Sequence, residues 1–148
     1  MYSLIVGKIP QEERKLLSKI LDNINVSNLL WEISEDDIYV ENNNVNLFPQ
    51  NIIHQSELSN IISENSYYII SCVAKAFKSY DEITSIESLS DFINSKCKLL
   101  ILIYDIEYLE VYVKDFEIAK IIFNNMKKNK FKPIYIFDEN YRKTFEIW

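Results

Sequence analysis

The chain has 148 residues, 48% of them hydrophobic and 26% charged, with a formal net charge of −6 at pH 7. A chain of this length fits one domain burying roughly 70% of the surface its unfolded form exposes, and a composition so close to ordinary globular usage argues against both disorder and a membrane class. The excess of acid disfavours contact with a phosphate backbone, so no nucleic-acid partner is expected, and it suits either solubility or a basic partner.

The opening MYSLIVGKIP is too short and too soon interrupted by charge for a signal peptide. No apolar run approaches the ~20 residues of a membrane span, so a cytosolic protein without membrane association is expected. Tyr2 to Val6 alternate weakly and read as a first strand. Pro10 stands where a helix opens, with Glu12 and Glu13 near the positive end of its dipole. Leu16, Leu17, Ile20, Leu21 and Ile24 then share one helical face. After a turn at Asn25-Val26-Ser27-Asn28, Leu29 to Ser34 and Ile38 to Glu41 read as two short strands, joined as a hairpin by Glu35-Asp36-Asp37. Asn42 to Gln50 has no period and reads as a loop held down by Phe48. Ser56 to Glu64 reads as a helix with Leu58, Ile61 and Ile62 inward.

Tyr67 to Phe77 is the longest strand in the pattern, with Tyr68, Ile70, Cys72, Ala74 and Ala76 as a smooth apolar face. Ser88 and Asp91 resemble a capping box for a helical turn holding Leu89, Phe92 and Ile93. Leu99 to Tyr104 is one unbroken apolar run, which suits a strand covered on both faces. Beyond it the pattern alternates, Leu109, Val111 and Val113 against Tyr108, Glu110 and Tyr112, as in a half-buried strand. The link Tyr104-Asp105-Ile106-Glu107 is too short for a crossover, so the two runs pair antiparallel in the middle of a sheet. Asp115 is placed to cap a helix from Phe116 to Asn129, with Phe116, Ala119, Ile122, Phe123 and Met126 at three-and-four spacing. Lys127, Lys128 and Lys130 complement its negative end, and Lys132-Pro133 stops it. Ile134 to Phe137 and Thr144 to Trp148 read as a closing hairpin around Asp138-Glu139-Asn140. The whole predicts one α+β domain over residues 1–148, a mainly antiparallel sheet of about six to eight strands with about three to four helices packed on it.

Several pieces taken together resemble a family of small Gram-positive bacterial proteins, the domain of unknown function 2691. They are Asn25-Val26-Ser27 with Trp31 following, Leu47-Phe48-Pro49, Tyr67-Tyr68-Ile69-Ile70, Phe92 with Ser95 and Cys97, Tyr112-Val113-Lys114-Asp115, and the terminal Trp148. The resemblance implies a compact bacterial protein with no assigned activity, and it carries over no functional residue.

Chemistry-bearing residues are few. Gly7 is the single glycine, whereas a loop that cradles phosphate needs several, so Walker and Rossmann fingerprints are absent and no cofactor is expected. Cys72 and Cys97 form no CxxC pair and have no neighbouring histidine, which leaves them as reduced packing residues and predicts no metal site. His54, the one histidine, could act as a general base on Ser56 or a water, but no spacing singles out an acid partner, and a solvated loop histidine is the simpler reading. The run from Glu32 to Glu41, with Glu35, Asp36 and Asp37, offers oxygens for Ca²⁺ or Mg²⁺ without the spacing or glycine of a calcium loop, and reads more simply as a solvated hairpin tip.

Tyrosine is the suggestive residue type, with Tyr39, Tyr67, Tyr108, Tyr112 and Tyr135 all in strand-like runs. Tyr39, Glu41, Tyr108, Glu110 and Tyr112 form a candidate protein-interaction face, because tyrosine supplies rigid amphipathic area at interfaces. A second buried core face is the competing reading. The sequence therefore predicts a non-catalytic protein-binding module, immunity- or inhibitor-like, that attracts a basic protein partner by charge. Two alternatives stay open: a homo-oligomeric structural protein using the tyrosine face or the Phe145-Glu146-Ile147-Trp148 end, and a small enzyme using His54 and nearby carboxylates.

Overall fold

The structure, a computed structural model, describes residues 2–24, 28–41 and 46–136, apart from the side chain of Glu35. Its elements in chain order are β1 (Ser3–Lys8), α1 (Leu16–Ile20), β2 (Leu30–Val40), β3 (Ile52–His54), α2 (Gln55–Glu64), β4 (Tyr67–Phe77), a 3₁₀ turn (Tyr80–Glu82), α3 (Leu89–Asn94), β5 (Leu99–Tyr104), β6 (Tyr108–Val113), α4 (Phe116–Lys128) and β7 (Ile134–Ile136). The strands form one seven-stranded sheet in the order β3-β2-β4-β5-β6-β1-β7. Every neighbouring pair in it is antiparallel. The predicted α+β class with an antiparallel sheet is the observed one.

Alternation sorts the strand side chains onto two buried faces. Ile5, Ile33, Ala74, Ile101 and Val111 point to the face covered by α1, α2 and α4, where Leu17, Ile20, Leu58, Ile62, Ala119 and Ile122 meet them. Leu4, Val73, Leu100, Leu102 and Tyr112 point the other way and pack with Ile86, Leu89, Phe92 and Cys97 around α3. The unbroken run Leu99–Tyr104 follows from this: a central strand with helices on both sides leaves no face for water. Each such Leu or Ile, fully buried, stabilises the fold by about 1.5–3 kcal/mol before chain entropy is counted.

Local caps act where the sequence places them. The Asp115 Oδ1 accepts from the backbone N–H groups of Glu117 and Ile118 at 2.9 and 3.1 Å. Ser88 Oγ accepts from Asp91 N at 3.1 Å, and the Asp91 carboxylate accepts in return from Glu87 N at 3.0 Å.

Five expectations need correction. The acids Glu35, Asp36 and Asp37 do not turn the chain: β2 is one eleven-residue strand, paired with β4 along its length, and the acids sit at a bulge between Ser34 and Ile38. A bulge absorbs the irregularity that looked like a hairpin tip. Opposite it, β4 changes face at Ser71, so the helix-facing series is Tyr67, Ile69, Cys72, Ala74 and Ala76, and not one that begins at Tyr68 and Ile70. The first helix starts at Leu16 rather than Pro10, because the Arg14 carbonyl accepts from Tyr67 N and the Glu13 carboxylate accepts from Lys15 N. Strand β6 is buried on both faces from Leu109 to Val113, because α3 covers the side expected to be wet. Ile93 and Phe116 are exposed, Phe116 lying under the Lys120 ammonium instead of in the core. The Asn25-Val26-Ser27 part of the first turn, the first residues of the Phe48 loop and the closing hairpin with Thr144 to Trp148 lie outside the described residues.

Candidate functional site

Strand β4 outruns its neighbour: β5 pairs only with Cys72–Ala76, so Tyr68 and Ile69 continue beyond the end of the central hairpin. Three backbone hydrogen bonds draw other segments around that end. Ile106 N donates to Ile70 O at 3.0 Å, Ile9 N to Glu107 O at 2.8 Å, and Lys8 N to Phe131 O at 2.8 Å. The β5–β6 turn, the segment from Ile9 to Leu16 and the arm Asn129–Lys132 after α4 therefore enclose a cleft of about 580 Å³. Ile9, Leu16 and Ile69 form its buried apolar lining, with Tyr68 and Ile106 beside them.

The arm closes because of Gly7. A Cβ at Gly7 would lie 2.5 Å from Met126 Cε and 2.9 Å from the Phe131 carbonyl oxygen, so only glycine lets the chain after α4 lie against β1. Backbone strain gathers at the same end. Ile106, Lys130 and Lys132, all lining the cleft, have φ of 61°, 67° and 49°, and Asp105 beside them has 52°. The left-handed region is unfavourable for any residue with a Cβ and worst for a β-branched one, at about 1–3 kcal/mol each.

Charge is arranged unevenly around the opening. Glu13 is buried, with its carboxylate accepting from Lys19 Nζ at 2.8 Å and from Lys15 N at 2.7 Å. Lys8 pairs with Glu107 at 3.2 Å. On the outer side Arg14 binds Glu41 at 2.9 Å, its guanidinium lies 5.0 Å from the centre of the Tyr68 ring, and Tyr68 meets Tyr39 at 5.2 Å. Lys130 and Lys132 are exposed and have no ion pair among the described residues.

The five predicted interface residues do not share one surface. Tyr39 and Tyr108 are exposed at 53% and 44%, but Glu110 and Tyr112 are buried at 4% and 0%. The Glu110 carboxylate accepts from the Tyr104 hydroxyl at 2.6 Å and from the Tyr112 hydroxyl at 2.8 Å. Burial, and then the Glu110 charge, hold both phenols well above the ordinary tyrosine range. Tyr39 and Glu41 flank the cleft through Tyr68 and Arg14, while Tyr108 stacks on Tyr104 at 5.3 Å.

The other candidates are scattered. His54 ends β3, the edge strand of the sheet, and its exposed side chain makes no capping bond to α2. Among the acids, Glu32 pairs across the strand with the buried Lys75 at 2.9 Å, Glu41 with Arg14, and Asp36 and Asp37 face solvent. Among the described residues no three His, Cys, Asp or Glu side chains gather as metal ligands. Cys72 and Cys97 are both free and buried; burial pushes their thiols up to about 12 and about 11. The cleft itself had one trace in the sequence, the isolated Gly7 in a strand, which marks a close backbone approach.

Among the described residues, a seven-stranded antiparallel sheet with helices on both faces and a cleft at one end defines an α+β protein. Residues 4–146 match the family described as "Protein of unknown function (DUF2691)", and the chain belongs to that family. It is 28% identical over 142 residues to "Uncharacterized protein YncE" of Bacillus subtilis (strain 168), covering 93% of each chain. No solved structure matches it. Among the described residues no helix is long and apolar enough to cross a membrane.

Proposed function

We propose that the protein is a non-catalytic binding module of the cytosol and that it works through the cleft at the Tyr68 end of the sheet. The cleft is the observation that carries this reading: about 580 Å³ lies within the range of ligand sites, and its lining joins buried aliphatic side chains to a few fixed charges. The residues best suited to covalent or acid–base work lie elsewhere, with both thiols buried and His54 on β3. Native mass spectrometry of the protein purified from its host, beside a Gln11→Trp variant that narrows the mouth, tests the proposal. A small molecule carried by the wild type and lost from the variant is the expected result; no bound molecule on the wild type, or the same ligand set on both proteins, would overturn it.

A second reading is favoured by the exposed Tyr39 and Tyr108 and by the net charge of −6: a basic protein partner steered onto the outer rim. It predicts that Tyr39→Ser combined with Glu41→Lys releases a partner captured at low salt, and a partner retained by that variant would contradict it.

A further inference from the structure

The lining of the cleft also says which charge its occupant carries. Of the three glutamates among its described lining residues, Glu13 is occupied by Lys19 and Glu107 by Lys8, which leaves Lys130 and Lys132 against Glu12 alone among them. Those two lysines are held in place from the backbone. Phe131 between them accepts from Lys8 N at 2.8 Å, its carbonyl sits over Gly7 where a Cβ would come within 2.9 Å, and both lysines carry left-handed backbone on either side of that contact. Lys130 owes its left-handed backbone to the end of α4, Lys132 has no such cap, and an arm that presents two cations with no ion pair among the described residues, beside an apolar lining, suits an anion. The chain as a whole is acidic, but at physiological salt a charge is screened beyond about 8 Å, so within the cleft the nearby lysines decide.

We propose that the cleft binds an organic acid, one anionic head on a short apolar body, with the head at Lys130 and Lys132 and the body against Tyr68, Ile69 and Ile106. This rests on the cleft being a binding site and adds the chemical class of what it binds. Two features of the site select the class: the lysines discriminate against cations and neutral alcohols, and the aliphatic lining discriminates against anions with no body.

The test is a titration of the folded protein with sodium octanoate, octylammonium chloride, 1-octanol and sodium acetate, followed by backbone amide shifts. Octanoate is expected to move the amides of Tyr68, Ile106 and Lys130 and to bind at least tenfold more tightly than each of the others. A Lys130→Glu/Lys132→Glu variant, altered only at exposed side chains, is expected to lose the octanoate preference by tenfold or more and to favour octylammonium instead. Octylammonium or octanol moving the same amides at equal or lower concentration would keep the cleft as a binding site and overturn the organic acid. Acetate matching octanoate would overturn the apolar body. No cleft shift with any of the four compounds would overturn this proposal and the binding role of the cleft together.

Discussion

The middle of the sheet and its Tyr68 end are built to opposite standards. In the middle, Leu99–Tyr104 lies between two antiparallel neighbours, its side chains are buried on both faces from Leu99 to Ile103, and the backbone is ordinary. At the end, four residues that are not glycine hold left-handed backbone, two lysines have no ion pair among the described residues, and the only glycine of the chain is used to bring them there. Lys130 takes its left-handed backbone as the end of α4, where Phe131 N donates to Met126 O at 2.8 Å and Lys130 N to Lys127 O at 3.2 Å, but Ile106 and Lys132 hold the same backbone with no helix end to cap. Strain that survives beside a well-packed core is often found at binding sites, and it is one physical ground for the proposal that the cleft holds a ligand.

Mutations can break the contrast from either side. The largest loss is expected in the middle: Ile101→Ala, at 0% exposure between helices and strands, should cost about 2–5 kcal/mol in chemical denaturation. Gly7→Ala should cost about 1–3 kcal/mol by overpacking against Met126 and the Phe131 carbonyl, and in addition it should displace the lysine arm. Amide shifts of Lys130 and Lys132 in that variant check the second effect. Asp115→Ala removes the acceptor for two N–H groups of α4 and should cost about 1 kcal/mol, far from the cleft, with the lysine arm unmoved.

The pH dependence sharpens the same picture of a tightly buried middle. The thiols of Cys72 and Cys97 and the phenols of Tyr104 and Tyr112 all have folded values above their ordinary ones, so the unfolded chain releases their protons first. Their contribution to stability is complete below about pH 8.5, where an unfolded thiol begins to ionise, and is lost as pH climbs past that point and then past about 10 for the phenols. Denaturation midpoints should fall steadily from pH 9 upward, and Cys72→Ala should flatten the first part of the fall. A flat profile to pH 11 would contradict the burial of these groups.

Much of the fold was legible because its signals are local. The cap at Asp115, the alternation of Tyr108–Val113 and the apolar run Leu99–Tyr104 each lie within a few residues, and period and capping are local properties. The misses are non-local. Glu35-Asp36-Asp37 looks like a turn until β4 supplies a partner strand that accepts a bulge, and Pro10 looks like a helix start until Tyr67 takes the Arg14 carbonyl. Alternation puts Glu110 on the same face of β6 as Tyr108 and Tyr112, but no alternation pattern tells that α3 covers part of that face. The cleft is assembled from four stretches of chain, around Lys8–Lys19, Tyr68–Ile69, Ile106–Glu107 and Asn129–Lys132, so no single window of sequence contains it.

The smallest expected effect is also the most direct test of the central claim. Ile106→Gly removes the left-handed strain at the β5–β6 turn and part of the cleft wall at once, so without ligand it should be more stable by up to about 1 kcal/mol. Melting curves of wild type and Ile106→Gly, each with and without sodium octanoate, read both quantities in one measurement. The variant is expected to melt higher than wild type without octanoate and to gain less from adding it. A variant that melts no higher, or that gains as much from octanoate as wild type does, would contradict the claim that the strained end of the sheet is kept for binding.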